Sequence, residues 1–265
     1  MKRFIPFLNR SPRVAVIRLH GVISTGARGQ LNDVALAPII ERAFRRGKPK
    51  AVALSINSPG GSPVQSALIA ARIRRLAAEK DLRVTAFVED AAASGGYWLA
   101  CAADEIHADR SSIIGSIGVI MASFGFDQFI GRFGVERRVY TSGSAKSQLD
   151  PFRPENPEDV ARITAIGDEI HAAFIEHVKT ARKGKLVDDA RLFTGEFWTG
   201  AKAAELGLVD GIGHLVPVMK ERYGDKVRFA VYGPKPSLFK RFGAALAGTA
   251  LDTLEERGLW GRFGL

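Results

Sequence analysis

Two glycine-rich turns carry the residue types from which hydrolytic chemistry is built. Ser58-Pro59-Gly60-Gly61 and Ser94-Gly95-Gly96 each follow an apolar run and precede a helical one. A helix start offers unpaired N–H groups and a partial positive charge. Glycine lets a ligand approach the backbone with no Cβ in the way. Two such turns side by side can hold a developing oxyanion. Ser94, at the mouth of an apolar helix, is a nucleophile by position. A serine there equally serves as an N-cap, and the local sequence leaves both roles open. Neither turn spells a phosphate loop: there is no G-x-x-x-x-G-K-[ST] and no G-x-G-x-x-G.

A serine nucleophile needs a base. The five histidines are His20, His107, His171, His177 and His214. His171 and His177 are six apart on one helix and do not share a face. No His-x-x-x-His or Cys/His cluster offers a zinc site. Each histidine reads as a surface or satisfied structural residue. Lys146, in Ser142-Gly143-Ser144-Ala145-Lys146-Ser147, is the other possible base, although a loop lysine is ordinarily just solvated.

The elements that must position these residues alternate between strand and helix. Arg13–His20, Lys50–Asn57 and Arg83–Glu89 read as strands rich in β-branched residues. Helices follow through Pro38–Phe44, from Pro63 to about Lys80, and over Tyr97–Ala103. Ser62 is placed as N-cap of the second, with Pro63 at its first position and Gln65 completing a capping box. Glu105–His107, Ser116–Met121 and Glu136–Thr141 are expected as short strands, and Phe124–Phe133 as helix. A long helix is predicted from Asn156-Pro157 to about Arg182, striped by Ile163, Ile166, Ile170, Phe174 and Val178. Repeated strand–helix units imply an α/β domain with a largely parallel sheet and right-handed crossovers.

Composition sets the outer limits. The 265 residues are 46% hydrophobic and 25% charged, which excludes bulk disorder, and a single cysteine, Cys101, excludes an intramolecular disulfide framework. The net charge of +10 suggests an anionic partner, but residues 1–13 contribute +4 of it and residues 235–265 another +2. The chain therefore divides into a basic segment 1–13, a domain 14–232 and an amphipathic tail 233–265. No apolar run is long enough to span a membrane, and Phe4–Leu8 is too short for a signal-peptide core. A cytoplasmic protein is expected, and no nucleic-acid module is present.

Taken together, the motifs resemble the signal peptide peptidase A family of serine peptidases, and most of all its short, SohB-like members. The matching segments are Asn57–Gly61, Ala92–Tyr97, Ile114–Val119, Gly143–Lys146, and Thr194-Gly195 through Gly207-Leu208-Val209-Asp210. They occur in the family's order, over residues 14 to about 220. The resemblance implies a ClpP/crotonase-type fold and a Ser–Lys dyad. Ser94 matches the nucleophile and Lys146 the general base, 52 residues on. Ser116 matches a hydroxyl beside the lysine. Gly61 and Gly95 match the oxyanion donors, and Gly60 shapes the first turn. No metal or organic cofactor is implied, and Ile113–Met121 lacks the histidine that a triad would need.

A lysine base must be neutral, against a reference pKa of about 10.4. Burial near Tyr97, Trp98 and Leu99 and the Ser94 helix start would lower it. The resemblance further implies hydrophobic peptide substrates such as signal-peptide remnants, a ring-like homo-oligomer, and work at or near the inner membrane. Phe193, Phe197 and Trp198 are candidates for core or interface. The tail, with apolar residues from Leu238 to Phe263, suits a membrane-surface helix, packing on the domain, or occlusion of the site. Two rivals stand beside the peptidase: a crotonase-type acyl thioester enzyme, and a non-catalytic membrane-associated scaffold.

Overall fold

The computed structural model describes residues 11–25, 31–234 and 257–265. Its contacts divide the chain into two compact units, one of residues 118–176 and one holding the rest.

In the larger unit, β1 (Arg13–His20), β2 (Ala51–Ser58) and β3 (Val84–Ala93) are adjacent parallel strands. All of Ala51–Ile56 is buried, the continuous apolar run expected of a parallel strand covered on both faces. α1 (Asp33–Arg45) and α2 (Pro63–Lys80) form the two crossovers. Asn32 caps α1 through its side chain and Ser62 caps α2. One face of the sheet closes over Val14, Val16, Ala53 and Phe87, which pack with Met219 of α7 (Leu215–Tyr223) and with Val227.

After β3 come α3 (Gly95–Ala100), β4 (Glu105–Ala108) and β5 (Ile113–Gly115). Both strands lie parallel to β3, β4 along Thr85–Val88 and β5 along Ala91–Ala93. β6 (Phe197–Thr199) adds antiparallel to β5, β7 (Gly211–Ile212) pairs with β4, and β8 (Arg228–Tyr232) runs parallel to β1. α6 (Gly200–Glu205) follows β6. The smaller unit holds α4 (Asp127–Arg132) and most of α5 (Pro157–Ala181). No helix among the described residues is long and apolar enough to cross a membrane.

Several sequence expectations are corrected. The strand expected over 116–121 ends instead at Gly115, because Gly115 and Ser116 both take positive φ, 111° and 53°. Residues 136–141 form no strand: Arg137 and Arg138 pair with Asp150 and Glu136, and no neighbouring strand supplies a ladder. Helix over 124–133 is trimmed to Asp127–Arg132, since Phe126 N–H donates to Pro151 O and Gly134 turns left-handed. Only half of the capping box forms. Ser62 Oγ accepts from Gln65 N–H, but Ser62 N–H donates to Ile23 O, and Gln65 Oε1 accepts from Asp33 N–H. The tail falls mostly on residues outside those described.

Candidate active site

Ser94 stands where β3 stops and α3 starts. Its φ of 51° and ψ of −122° lie in a region that side-chain-bearing residues rarely adopt. Such a conformation costs roughly 1–3 kcal/mol and persists where the surroundings over-determine it. The backbone is held by a bond from Ser94 N–H to Gly115 O, 2.8 Å, while Ser94 O accepts from the N–H groups of Tyr97 and Trp98. The hydroxyl makes no capping bond. Of the two roles open from sequence, the cap is therefore not the one its side chain performs.

The first glycine turn is packed directly against this serine. Gly60 and Gly61 have φ of 103° and 137°. A Cβ on Gly60 would fall 2.8 Å from Ser94 Cβ and 2.9 Å from Gly95 N; one on Gly95 would fall 3.4 Å from Gly61 N. Only glycine allows this approach. Ile23 fixes the turn from outside: its N–H donates to Gly60 O and its carbonyl accepts from Ser62 N–H. Inside, Ser58 Oγ accepts from Gly60 N–H. Neither Gly61 N–H nor Gly95 N–H has an acceptor among the described residues. Two free donors thus flank an unengaged hydroxyl, the arrangement that acyl transfer requires.

Ser116 follows the residue that anchors Ser94. It is buried, left-handed, and fixed by a bond from its N–H to Glu196 O, 2.7 Å. Ser94, Gly60, Gly61, Gly95 and Ser116 are thus gathered in one unit. Lys146 belongs to the other. It is exposed on a turn, with its N–H donating to Gly143 O. The same loop is pinned by Asp150, which accepts from Phe152 N–H and from Arg137. The burial that would make this lysine a base is not supplied by its own unit. Tyr97 and Leu99 are committed to the core of theirs, with Tyr97 Oη donating to Leu208 O.

Other polar groups have partners that the sequence did not show. His20 Nε2 lies 2.7 Å from Ser55 Oγ, which in turn donates to Glu89 Oε1 at 2.6 Å. This is not a triad, because the serine, rather than the histidine, sits in the middle. Asp210, the last residue of the Gly207–Asp210 motif, binds Arg182, Lys185 and Ile106 N–H. Burial raises the Asp210 carboxyl, but these three partners outweigh it and hold it at about 2. His177 donates to Trp98 O and stacks on the indole at 4.5 Å. Cys101 is fully buried, and burial pushes its thiol up to about 12. The motif marked Tyr97 and Asp210 as important, but their role here is to fasten the core.

Comparison with known proteins places this geometry in context. A family model described as Peptidase family S49 matches residues 77–225. A protein of Brucella melitensis called "Na(+)/H(+) antiporter NhaA" is 49% identical over all of this chain, which spans 39% of its length. The "Putative signal peptide peptidase SppA" of Enterococcus faecium is 30% identical over 76% of this chain and 60% of its own. Among solved structures, a "1510-N membrane-bound stomatin-specific protease" with a bound substrate peptide superposes with a TM-score of 0.52. The identity is 16%, over 88% of this chain and 96% of that one. This likeness shows the fold, the α/β, ClpP/crotonase-type arrangement expected from the motifs.

Proposed function

The chain belongs to peptidase family S49, and from that premise we propose that it is a serine endopeptidase with Ser94 as nucleophile and Lys146 as general base. Ser94 Oγ attacks a peptide carbonyl as neutral Lys146 Nζ takes its proton. The oxyanion is held by Gly61 and Gly95 N–H. Lys146 then protonates the leaving amine, and water releases the acyl group from Ser94. The Ser116 hydroxyl orients the lysine, and Gly60 keeps the first turn against the serine. The observation that carries this reading is the free hydroxyl of Ser94, held at positive φ between two unpaired N–H groups. Purified Ser94→Ala is expected to lose peptide hydrolysis and labelling by a fluorophosphonate probe. Retained labelling would overturn the assignment, and an unlabelled wild type that binds coenzyme A would favour an acyl thioester enzyme.

The substrate class proposed is an extended hydrophobic peptide. Val64 and Leu68 are exposed on the first turns of α2, which begins two residues after Gly61. They offer apolar surface beside the oxyanion donors. The name of the Enterococcus relative points to signal peptides, which are of this kind. A peripheral position on the cytoplasmic face of the inner membrane is supported by the basic termini, which an anionic membrane surface would attract.

A homo-oligomer is the proposed assembly. Phe124, Phe129, Phe133 and Tyr140 of residues 118–176 are all more than half exposed, more apolar surface than a free unit ordinarily shows. Covering it would also supply the desolvation that Lys146 needs. Sedimentation of the intact protein tests this, and a monomer at micromolar concentration would argue against it. Phe263 of the tail lies edge-on to Phe197 at 5.1 Å, which supports packing of the tail on the domain.

A further inference from the structure

Between Ile56 and Ser58 the β2–β3 register slips. Ile56 faces Val88, but Ser58 faces Ala92, so the single residue Asn57 stands opposite Glu89, Asp90 and Ala91. β3 also changes neighbours here, leaving β4 at Val88 and meeting β5 at Ala91. Bulges of this kind bend a strand and re-aim the side chains beyond them. Ser94 lies three residues past Ala91.

Asn57 bridges the bulge. Its Oδ1 accepts from Ala91 N–H at 3.2 Å and its Nδ2 donates to Asp90 Oδ2 at 2.6 Å. Its carbonyl accepts from Gly21 N–H, where β1 gives way to the loop that carries Ile23. One residue thereby ties together the exits of β1, β2 and β3. Those exits deliver the clamp on the glycine turn, the turn itself, and the serine. The neighbouring His20–Ser55–Glu89 chain fastens the start of the bulge, and Ser112 Oγ donates to Glu89 O.

We infer that Asn57 and Asp90 are a positioning pair, which sets the β3 bulge and through it the placement of Ser94 against the Gly61 and Gly95 N–H groups. This rests on the Ser94 assignment above. Neither residue touches the reacting atoms. Asp90 is exposed and its bond to Asn57 lies in solvent, so the larger effect of the pair is expected in the rate rather than in the fold. A displacement of about 1 Å at a reacting centre costs on the order of a hundredfold in rate.

The test is an exchange of the two groups. Asn57→Asp sets two carboxylates face to face. It should lower kcat and the rate of fluorophosphonate labelling about tenfold to a hundredfold, with KM within about twofold. Asp90→Asn alone keeps an oxygen acceptor and should stay near wild type. Combining the two restores one donor and one acceptor across the bulge, and should return kcat to within about threefold of wild type. A double variant as slow as Asn57→Asp, or an Asn57→Asp at the wild-type rate, would overturn the inference. Should Asn57→Asp fail to fold, Asp90→Ala removes only an exposed carboxylate, and a wild-type kcat there would overturn it as well. Ser94→Ala in parallel separates the two readings. If it is still labelled, the nucleophile assignment fails and the positioning role with it. If it is unlabelled while every Asn57 and Asp90 variant labels normally, only the positioning role fails.

Discussion

Around Ser94 the backbone has no slack: a methyl group added at Gly60, Gly61, Gly95 or Gly96 would land 2.0–2.8 Å from another atom. In the unit that carries Lys146 most glycines have room. Gly131, Gly134, Gly143 and Gly167 meet nothing within 4 Å, and Phe174 is the single buried apolar residue of 118–176. Ser94 and the unpaired N–H groups of Gly61 and Gly95 are held in place in advance, whereas Lys146 is carried on a segment with many exposed apolar side chains. Preorganisation is worth most where charge develops on atoms that must not move.

The contrast can be broken at several points. The largest effect is expected at Lys146→Arg, which keeps the charge but cannot serve as a base. It should lower kcat by about 10²–10⁴ in a peptide assay while leaving thermal stability unchanged. Next, Gly60→Ala adds a close contact to backbone strain and should cost about 3 kcal/mol in urea unfolding. Gly143→Ala, at a similar φ of 101° but in open space, should cost only about 1 kcal/mol. Equal costs would abolish the distinction between the two regions.

Acid titration gives a smaller effect. Asp210 is held at about 2, below an unfolded value of about 3.9, so its contribution is complete above pH 4 and is lost as pH falls towards 2. Asp210→Asn should flatten that part of the stability curve. Asp150 is also lowered, by Phe152 N–H and then Arg137, but it has one ion-pair partner where Asp210 has two. Asp150→Asn should move the acid midpoint much less. The smallest effect is Tyr140→Ser: at 91% exposure it should change stability by less than about 0.5 kcal/mol. It should nonetheless weaken self-association in sedimentation if that face is covered in the assembly.

The same contrast explains what the sequence disclosed. Arg13–His20 is the strand that its β-branched residues announce, and Pro63–Lys80 starts at the cap that Ser62 marks. The glycine turns were visible because their demand for glycine is local. The bulge at Asn57 was not, because it depends on Ala91 and Asp90, more than thirty residues away. β6 and β7, of three and two residues, are too short to carry a period and exist because β5 and β4 offer them an edge. Ser116–Met121 looks like a strand by composition, and the positive φ of Gly115 and Ser116 ends the strand before it. Residues 136–141 carry strand-like residues with no neighbour to pair with.

Cys101 has a practical consequence. It is the chain's sole cysteine, buried at the C-terminal end of α3, with a thiol near 12 that stays protonated and closed to reagents. The native protein therefore behaves towards maleimides as though it had no cysteine. One cysteine introduced on the Lys146 loop would take a fluorophore without background. Whether that loop is covered on self-association could then be followed as a change in emission, in the otherwise unaltered protein.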